Sequence, residues 1–536
     1  MGKINILDCT LRDGGRIIDC NFPDETIQKI SEKLNKSKID IIEVGFIRNN
    51  IIYNGNSTFF EKVEDINQFI YKGNGCSDSK YVVFVDFGMY DLDNMSEKKF
   101  NNIDGIRFGF TKKDFYTERE EIEKQISILW EKGYDIYLQD VNTLGYSDLE
   151  LLELIDFTNK IRPISFGIVD TYGSMDLDEL NRVFSIVNHN LNREIAIDFH
   201  SHNNMQLSFA LAQEMIRLCR DSRDLIIDAT LNGMGKCAGN LNTELIISYM
   251  NRKLNSNYDL DMILDIIDEY LYDIKQEHFW GYSIPSFMAG VYKAHPNNVI
   301  YLTEKFRLLT KDIKHIISRI DEETRQKYDY DNIQKIYKEY TAQKIDDSEN
   351  KYLLKEEIGT KPVLILVPGK SLIDYKTKIH ELIAEEQAVV ISVNFVPDEF
   401  KIDYAFYGNS RRYENSLNNH NKKIITSNIE KKGNDEIVFN YYSLVEGQGE
   451  YFDNSTIMLL NLLKILEVKQ ILIAGFDGFT AKGNDFVDKS FHQNRFKEEY
   501  EKLNKGMGEM MRRLASHISG KTTISFITPS KYKDYF

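Results

Sequence analysis

Along the first 230 residues the apolar positions follow two alternating rhythms. Short runs rich in Ile, Val and Phe occupy 4–10, 39–46, 81–87, 105–110, 134–140, 164–170, 194–200 and 225–230. Each is too short for a helix and has strand composition. Between several of them lie segments with helical spacing, at 23–36, 117–132, 148–160 and 205–220. The last five strands recur about every 30 residues, the length of a βα unit. Eight such units over residues 1–245 predict an α/β fold, a (β/α)8 (TIM) barrel. A doubly wound open sheet is the alternative, but it rarely uses eight such regular units.

Beyond the barrel the pattern changes. Residues 246–345 carry mostly helical spacing and predict a helical extension. The charged stretch 346–360 shows no apolar period and predicts a linker. From 361 onward, strand-like runs at 362–367, 388–395, 403–407, 423–427, 436–440 and 470–475 alternate with helical spacing at 375–386 and 455–467. That alternation predicts a second, Rossmann-like α/β domain over 361–536.

Composition narrows the function classes. The chain has 536 residues, 42% of them hydrophobic and 28% charged, enough for two sizeable cores and too apolar for a disordered chain. The formal net charge of −16 disfavours a nucleic-acid partner. The five cysteines are scattered and form no CxxC pair, which argues against a disulfide framework or structural zinc. No leader-like start and no run of 18 apolar residues occurs, so no membrane span and a cytoplasmic location are expected.

The polar residues cluster where a barrel gathers its site. Strand 1 runs into Asp8-Cys9-Thr10-Leu11-Arg12-Asp13-Gly14, and strand 2 delivers Glu43. Strands 4 and 5 deliver Arg107 and Gln139, expected to contact substrate. Thr171 and Ser174 follow strand 6 and suit a substrate carboxylate, although with Gly173 they equally suit an ordinary turn. Strand 7 ends in His200-Ser201-His202-Asn203-Asn204. Imidazoles two residues apart on a strand project to one side. With Asp13, on the neighbouring side of a closed barrel, they suit a divalent ion: Mn²⁺ first, with Mg²⁺, Co²⁺ or Zn²⁺ as alternatives.

The runs DCTLRDG at 8–14, HSHNN at 200–204 and GMGKCAGN at 233–240 resemble the pyruvate-metabolising, metal-dependent lyase superfamily of 4-hydroxy-2-oxovalerate aldolase, hydroxymethylglutaryl-CoA lyase and isopropylmalate synthase. The resemblance covers roughly residues 1–300. It implies that Asp13, His200 and His202 are metal ligands, with Asn240 a fourth used by some members. It also implies that Arg12 stabilises an enolate oxygen, that Glu43 orients Arg12, and that Tyr282 stands in for a family tyrosine. His295 is a further candidate, and Cys237 matches a loop cysteine of the lyases. An aldolase joining a 2-oxo acid and an aldehyde is the reading that follows. A Claisen-type acyl-CoA lyase or synthase, and a non-catalytic scaffold, are the alternatives. Homo-oligomerisation and docking of a dehydrogenase are left open.

One departure bears on mechanism. Where the aldolases carry a proton-moving histidine, this chain has Arg16. Arginine cannot act as a base near neutral pH. Either another group moves the proton, or the aldehyde carries a phosphate or carboxylate for Arg16. In the second domain, Val363–Ser371 runs from a strand through Gly369 toward a helix, and its wider pattern is similar to sialyltransferase-like nucleotide-binding domains of glycan biosynthesis. Gly369, Ser371, Asn394, Asn409 and Asp477 are the expected nucleotide or sugar-nucleotide residues.

Overall fold

The computed structural model describes residues 2–535 except 52, 54, 73–75, 307–309, 328, 342–344, 446–453, 481–485, 488–496 and 519–521. The chain divides into two units, Met1–Tyr301 with Ile320–Tyr328, and Leu302–Arg319 with Asp329–Phe536. The helical residues 246–345 are thus shared between the units.

In the first unit all eight expected strands form: Ile4–Asp8, Ile41–Ile47, Lys80–Asp86, Gly105–Phe110, Asp135–Asp140, Ser165–Asp170, Ala196–Ser201 and Leu225–Ala229, hereafter strands 1 to 8. All pair in parallel, and strand 1 pairs with both strand 2 and strand 8, which closes the barrel. Side chains alternate along a strand. Leu7, Ile41, Val82, Tyr137 and Ile226 therefore meet inside the barrel as one apolar layer. Two residues further along the same strands stand Cys9, Glu43, Phe84, Gln139 and Asp228. The interior turns polar one step nearer the carboxyl ends.

Helices cover the outer face. Asp24–Lys36 buries Ile27, Ile30 and Leu34 at helical spacing. Asp148–Ile161 and Leu177–Asn190 start on capping boxes, Ser147 with Glu150 and Asp176 with Glu179. The βα rhythm weakens after strands 2 and 3, where the described residues of the connections form short 3-10 turns at Val63–Phe69, Leu92–Asn94 and Lys98–Phe100 in place of an α-helix. A two-residue strand, Phe59–Phe60, also pairs with strand 2.

The stretch 346–360, expected as a linker, is helical over Ser348–Ile358. Leu354 and Ile358, four apart on one helix face, enter the second unit's core. Two apolar residues are too few to raise a periodic signal in so charged a sequence. That core packs on a seven-stranded parallel sheet, ordered Glu436–Phe439, Lys422–Thr426, Tyr404–Tyr407, Val389–Val393, Val363–Leu366, Gln470–Ala474, Thr523–Phe526. Val363 and Ile365 face one layer, Leu364 and Leu366 the other. The last strand went unpredicted; it is a half-buried edge run with little apolar alternation. Among the described residues no helix is long and apolar enough to cross a membrane.

Candidate functional site

At the carboxyl ends of the barrel strands, Asp13, His200 and His202 come together. Asp13 Oδ2 lies 3.9 Å from His200 Nε2 and 3.7 Å from His202 Nε2. The three potential ligand atoms all fall within 4.8 Å of one another. Burial opposes ionisation of Asp13, but Arg12, the two imidazoles and Arg16 outweigh it and hold the carboxyl well below its usual range. Burial lowers His202 to about 4 against the pull of Asp13, so its imidazole is neutral with a lone pair to offer.

Asn240 reaches this cluster through a folded-back loop. Gly239 sits at φ +78°, where a Cβ would meet Gly233 O at 1.9 Å, so glycine is required for the return. The Asn240 amide donates to Asp13 Oδ2 at 2.9 Å and to Met234 O at 3.0 Å. Its buried Oδ1 has no hydrogen-bond partner among the described residues. An orphaned acceptor beside an ionised carboxylate and two imidazoles fits a cation. The donor set is one carboxylate, two imidazoles and one amide oxygen. It suits Mn²⁺, Mg²⁺, Co²⁺ or Zn²⁺ in kind, and the residues present fit the group.

Below the ligands runs a chain of buried charges. Arg12 donates through Nε to Glu43 (2.7 Å) and through Nη1 to Asp13 (2.7 Å). Arg107, fully buried on strand 4, donates to Glu43 (3.0 Å), Asp198 (3.2 Å) and Asp228 (2.5 Å). Asp228 accepts from His200 Nδ1 at 2.8 Å, which leaves Nε2 to face Asp13. Asp198 is pushed well up by burial and by Asp228, while Arg107 and His200 hold Asp228 down against its burial. A second grouping, Cys9, His200 and Asp228, shares His200. Burial pushes the Cys9 thiol well up, which disfavours the thiolate a metal needs.

Residues 3–269 match the model of the HMGL-like family. The barrel belongs to that family. The chain is 25% identical over 278 residues to a 4-hydroxy-2-oxovalerate aldolase of Geobacillus genomosp. 3, covering 50% of this chain and 77% of that protein. It is 25% identical over 271 residues to a 2-isopropylmalate synthase of Halalkalibacterium halodurans, covering 49% of this chain and 51% of that protein. Among solved structures, the HMG-CoA lyase from Brucella melitensis aligns at a TM-score of 0.42 and 14% identity, covering 52% of this chain and 100% of that one.

The other expected residues of the HMGL-like barrel fall into place differently. Arg107 and Gln139, expected at substrate, are instead committed inward: Gln139 donates to Asp198 at 2.6 Å. Thr171 gives its hydroxyl to Val141 O, and the Ser174 amide donates to Asp170 at 2.9 Å. Arg16 stands 3.4 Å from Asp13 as an ion pair. Gly281 N–H ties the 280–283 turn to Cys237 O at 3.0 Å, but the Tyr282 side chain is 52% exposed. His295 is lowered to about 4 by burial and by the charges of Lys236 and Arg16. Asn204 joins two site loops, accepting from Ala238 N–H and donating to Tyr172 O.

Asp228 and Asp198 were missed by sequence reasoning. The signal was present: Asp198, His200 and His202 share one face of a strand, and an acid inside the apolar run 225–229 is out of place unless paired.

In the second unit, the sheet order reverses between Val363–Leu366 and Gln470–Ala474, the kind of switch point where α/β sheets bind ligands. Gly369, Ser371 and Asp477 meet there, as each other's neighbours. Ser371 donates its N–H to Asp477 Oδ2 at 2.8 Å and its hydroxyl to Oδ1. Gly369 N–H goes to Val367 O and Gly475 O. Asn394 follows the next strand at φ +65°, with a buried Oδ1 that has no hydrogen-bond partner among the described residues. Asn409 caps the helix Ser410–Asn415.

Proposed function

We propose that this chain is a divalent-metal-dependent aldolase that makes or breaks the carbon–carbon bond between pyruvate and an aldehyde, with a 4-hydroxy-2-oxo acid as the joined form. The observation that carries the reading is the position of Arg12, pinned by Glu43 and Asp13 beside the ligand cluster. A divalent ion held by Asp13, His200, His202 and Asn240 would supply Lewis-acid polarisation of the ketone oxygen. Arg12 keeps its charge at the depth of those ligands, where an enolate oxygen would develop negative charge. Its Nη2 has no hydrogen-bond partner among the described residues and is the donor left for that oxygen. Glu43 and Arg107 fix the guanidinium from below, so no reorganisation is needed as charge develops.

In the synthetic direction a methyl C–H bond of pyruvate breaks, a C–C bond forms to the aldehyde carbon, and the aldehyde oxygen takes up a proton as the new hydroxyl. The test is hydrogen–deuterium exchange at the pyruvate methyl in D₂O, followed by NMR. Exchange that needs Mn²⁺ and Arg12 supports an enolate-forming enzyme; no exchange with any of the four metals sinks it. The similarity to 2-isopropylmalate synthase favours one second reading, a Claisen-type synthase. Release of free CoA from acetyl-CoA and a 2-oxo acid, with no aldehyde condensation, would select it.

A further inference from the structure

The geometry points to a subsite for an anionic group, a carboxylate or a phosphate, at the far end of the aldehyde substrate, built by Arg16 and Arg48 on a row of phenylalanine rings. The inference rests on the aldolase reading above.

The row begins with a bulge in strand 2. Glu43 pairs with Val82, yet Phe46, three residues on, pairs with Phe84, only two residues on. The extra residue is taken up near Gly45, at φ +148°, where a Cβ would lie 2.1 Å from Thr58 O. Bulges re-aim side chains beside sites. Here the bulge turns Phe46 against Phe84, with ring centroids 5.7 Å apart, and the short strand brings Phe59 to 5.2 Å on the other side. With Cys20, these rings form a small apolar cluster separate from the main core.

Three guanidinium groups lie along the row. Arg12 stands 4.6 Å over Phe84, Arg16 stands 4.8 Å over Phe46, and Arg48 is 5.0 Å from Phe46 and 4.7 Å from Phe59. An aromatic face holds the guanidinium plane and leaves the N–H edge for a ligand. The row runs outward: the side chain is 6% exposed at Arg12, against 38% at Arg16 and 30% at Arg48. Asp13 faces Arg16 but also holds Arg12 and stands among the imidazoles, so Arg16 has no carboxylate of its own. Asp86 holds one end of Arg48, by Nη2 at 2.9 Å. Arg16 meets Asp13 through Nε alone, at 3.4 Å, and Arg48 meets Asp86 through Nη2, so each guanidinium is held at one atom. A neutral aldehyde would make no use of two guanidinium groups that Asp13 and Asp86 engage at one atom each. A short aldehyde ending in an anion places its carbonyl by Arg12 and its charge one or two rings further out, where planar donors recognise carboxylate or phosphate.

The test uses the full chain with Mn²⁺ and four aldehydes in two matched pairs: succinic semialdehyde against butyraldehyde, and glyceraldehyde 3-phosphate against glyceraldehyde. The ratio of kcat/KM within a pair cancels any loss common to both members. The expected result is a ratio above about tenfold in at least one pair, which also tells carboxylate from phosphate. Arg16→Gln and Arg48→Gln each lower that ratio severalfold, chiefly through KM, and Arg48→Lys restores part of it. A wild-type ratio near one in both pairs, or a ratio that neither glutamine variant lowers, overturns the subsite. Pyruvate methyl exchange is run alongside: exchange without anion preference rejects the subsite alone, and absence of exchange rejects the aldolase reading and the subsite with it.

Discussion

The two parallel sheets of this chain treat their strand ends in opposite ways. In the barrel, polar residues from strands 1, 7 and 8 converge and satisfy one another only in part: among the described residues Asn240 Oδ1 is left over, and Arg12 Nη2 has no partner. At the switch point of the second sheet, Ser371 and Asp477 pair off, with Asp477 taking both donors of Ser371, and the left-over acceptor, Asn394 Oδ1, stands one strand away. A closed barrel points every strand end at one axis, so acids and bases from distant segments are forced together. An open sheet offers only one crevice, and here a carboxylate already lies against the loop whose N–H groups would cradle a phosphate. Convergence of several charged groups around an unmet acceptor distinguishes the barrel end, whereas a ligand at the second sheet would have to displace the Ser371–Asp477 contact.

The contrast can be broken first at the ligands. Asp13→Ala and His200→Ala should each lose the bound ion and bring pyruvate exchange to background, measured by metal analysis and NMR; retained stoichiometric metal in both would dissolve the contrast. Next is the arginine. Arg12→Lys should keep the metal yet slow exchange by about 100- to 1,000-fold, because a point charge cannot keep both carboxylate contacts and still offer a donor. Third is the support beneath. Asp228→Asn should weaken metal affinity by about 10- to 100-fold by releasing His200 Nδ1, read by competition with a chelator.

Much of this was legible in the sequence, and the limits are physical. The eight strands and the convergence of Asp13, His200 and His202 could be read because strand periodicity fixes which residues share a face, as with His200 and His202. The charge chain below them could not. Arg107 meets Glu43, Asp198 and Asp228 only after the barrel closes, and no local spacing records a contact between strand 4 and strand 8. The Gly45 bulge was hidden for a related reason: one inserted residue leaves the apolar run intact while turning Phe46 toward Phe84.

Two smaller effects sharpen the comparison further. Burial raises Asp140, at the end of strand 5, to about 7 against the hydrogen bond from Tyr146. Its folded form therefore holds a proton that the unfolded chain releases near pH 4, so wild-type stability falls as pH rises from about 4 to 7. Asp140→Asn should gain in Tm over the wild type across that window, after which the gap stays level. The smallest shift is expected in the second unit. UDP or CMP added to the full chain should raise its transition by less than Mn²⁺ does for the barrel, since the Ser371–Asp477 contact must open first. Asp477→Asn should change that increment, and a transition unmoved by either nucleotide leaves the sheet a structural one.

The arginine on strand 4 also sets a schedule. Arg107 ties strands 2 and 4 to strands 7 and 8, and two of its three carboxylates belong to the last pair to be synthesised. A nascent chain that has emerged only through Cys219 owns seven strands, both imidazoles and Asp13, yet lacks Asp228 to aim His200 and Asn240 to complete the donor set. Any ion drawn to Asp13 and the two imidazoles would therefore meet an incomplete donor set until the final strand and its loop are made.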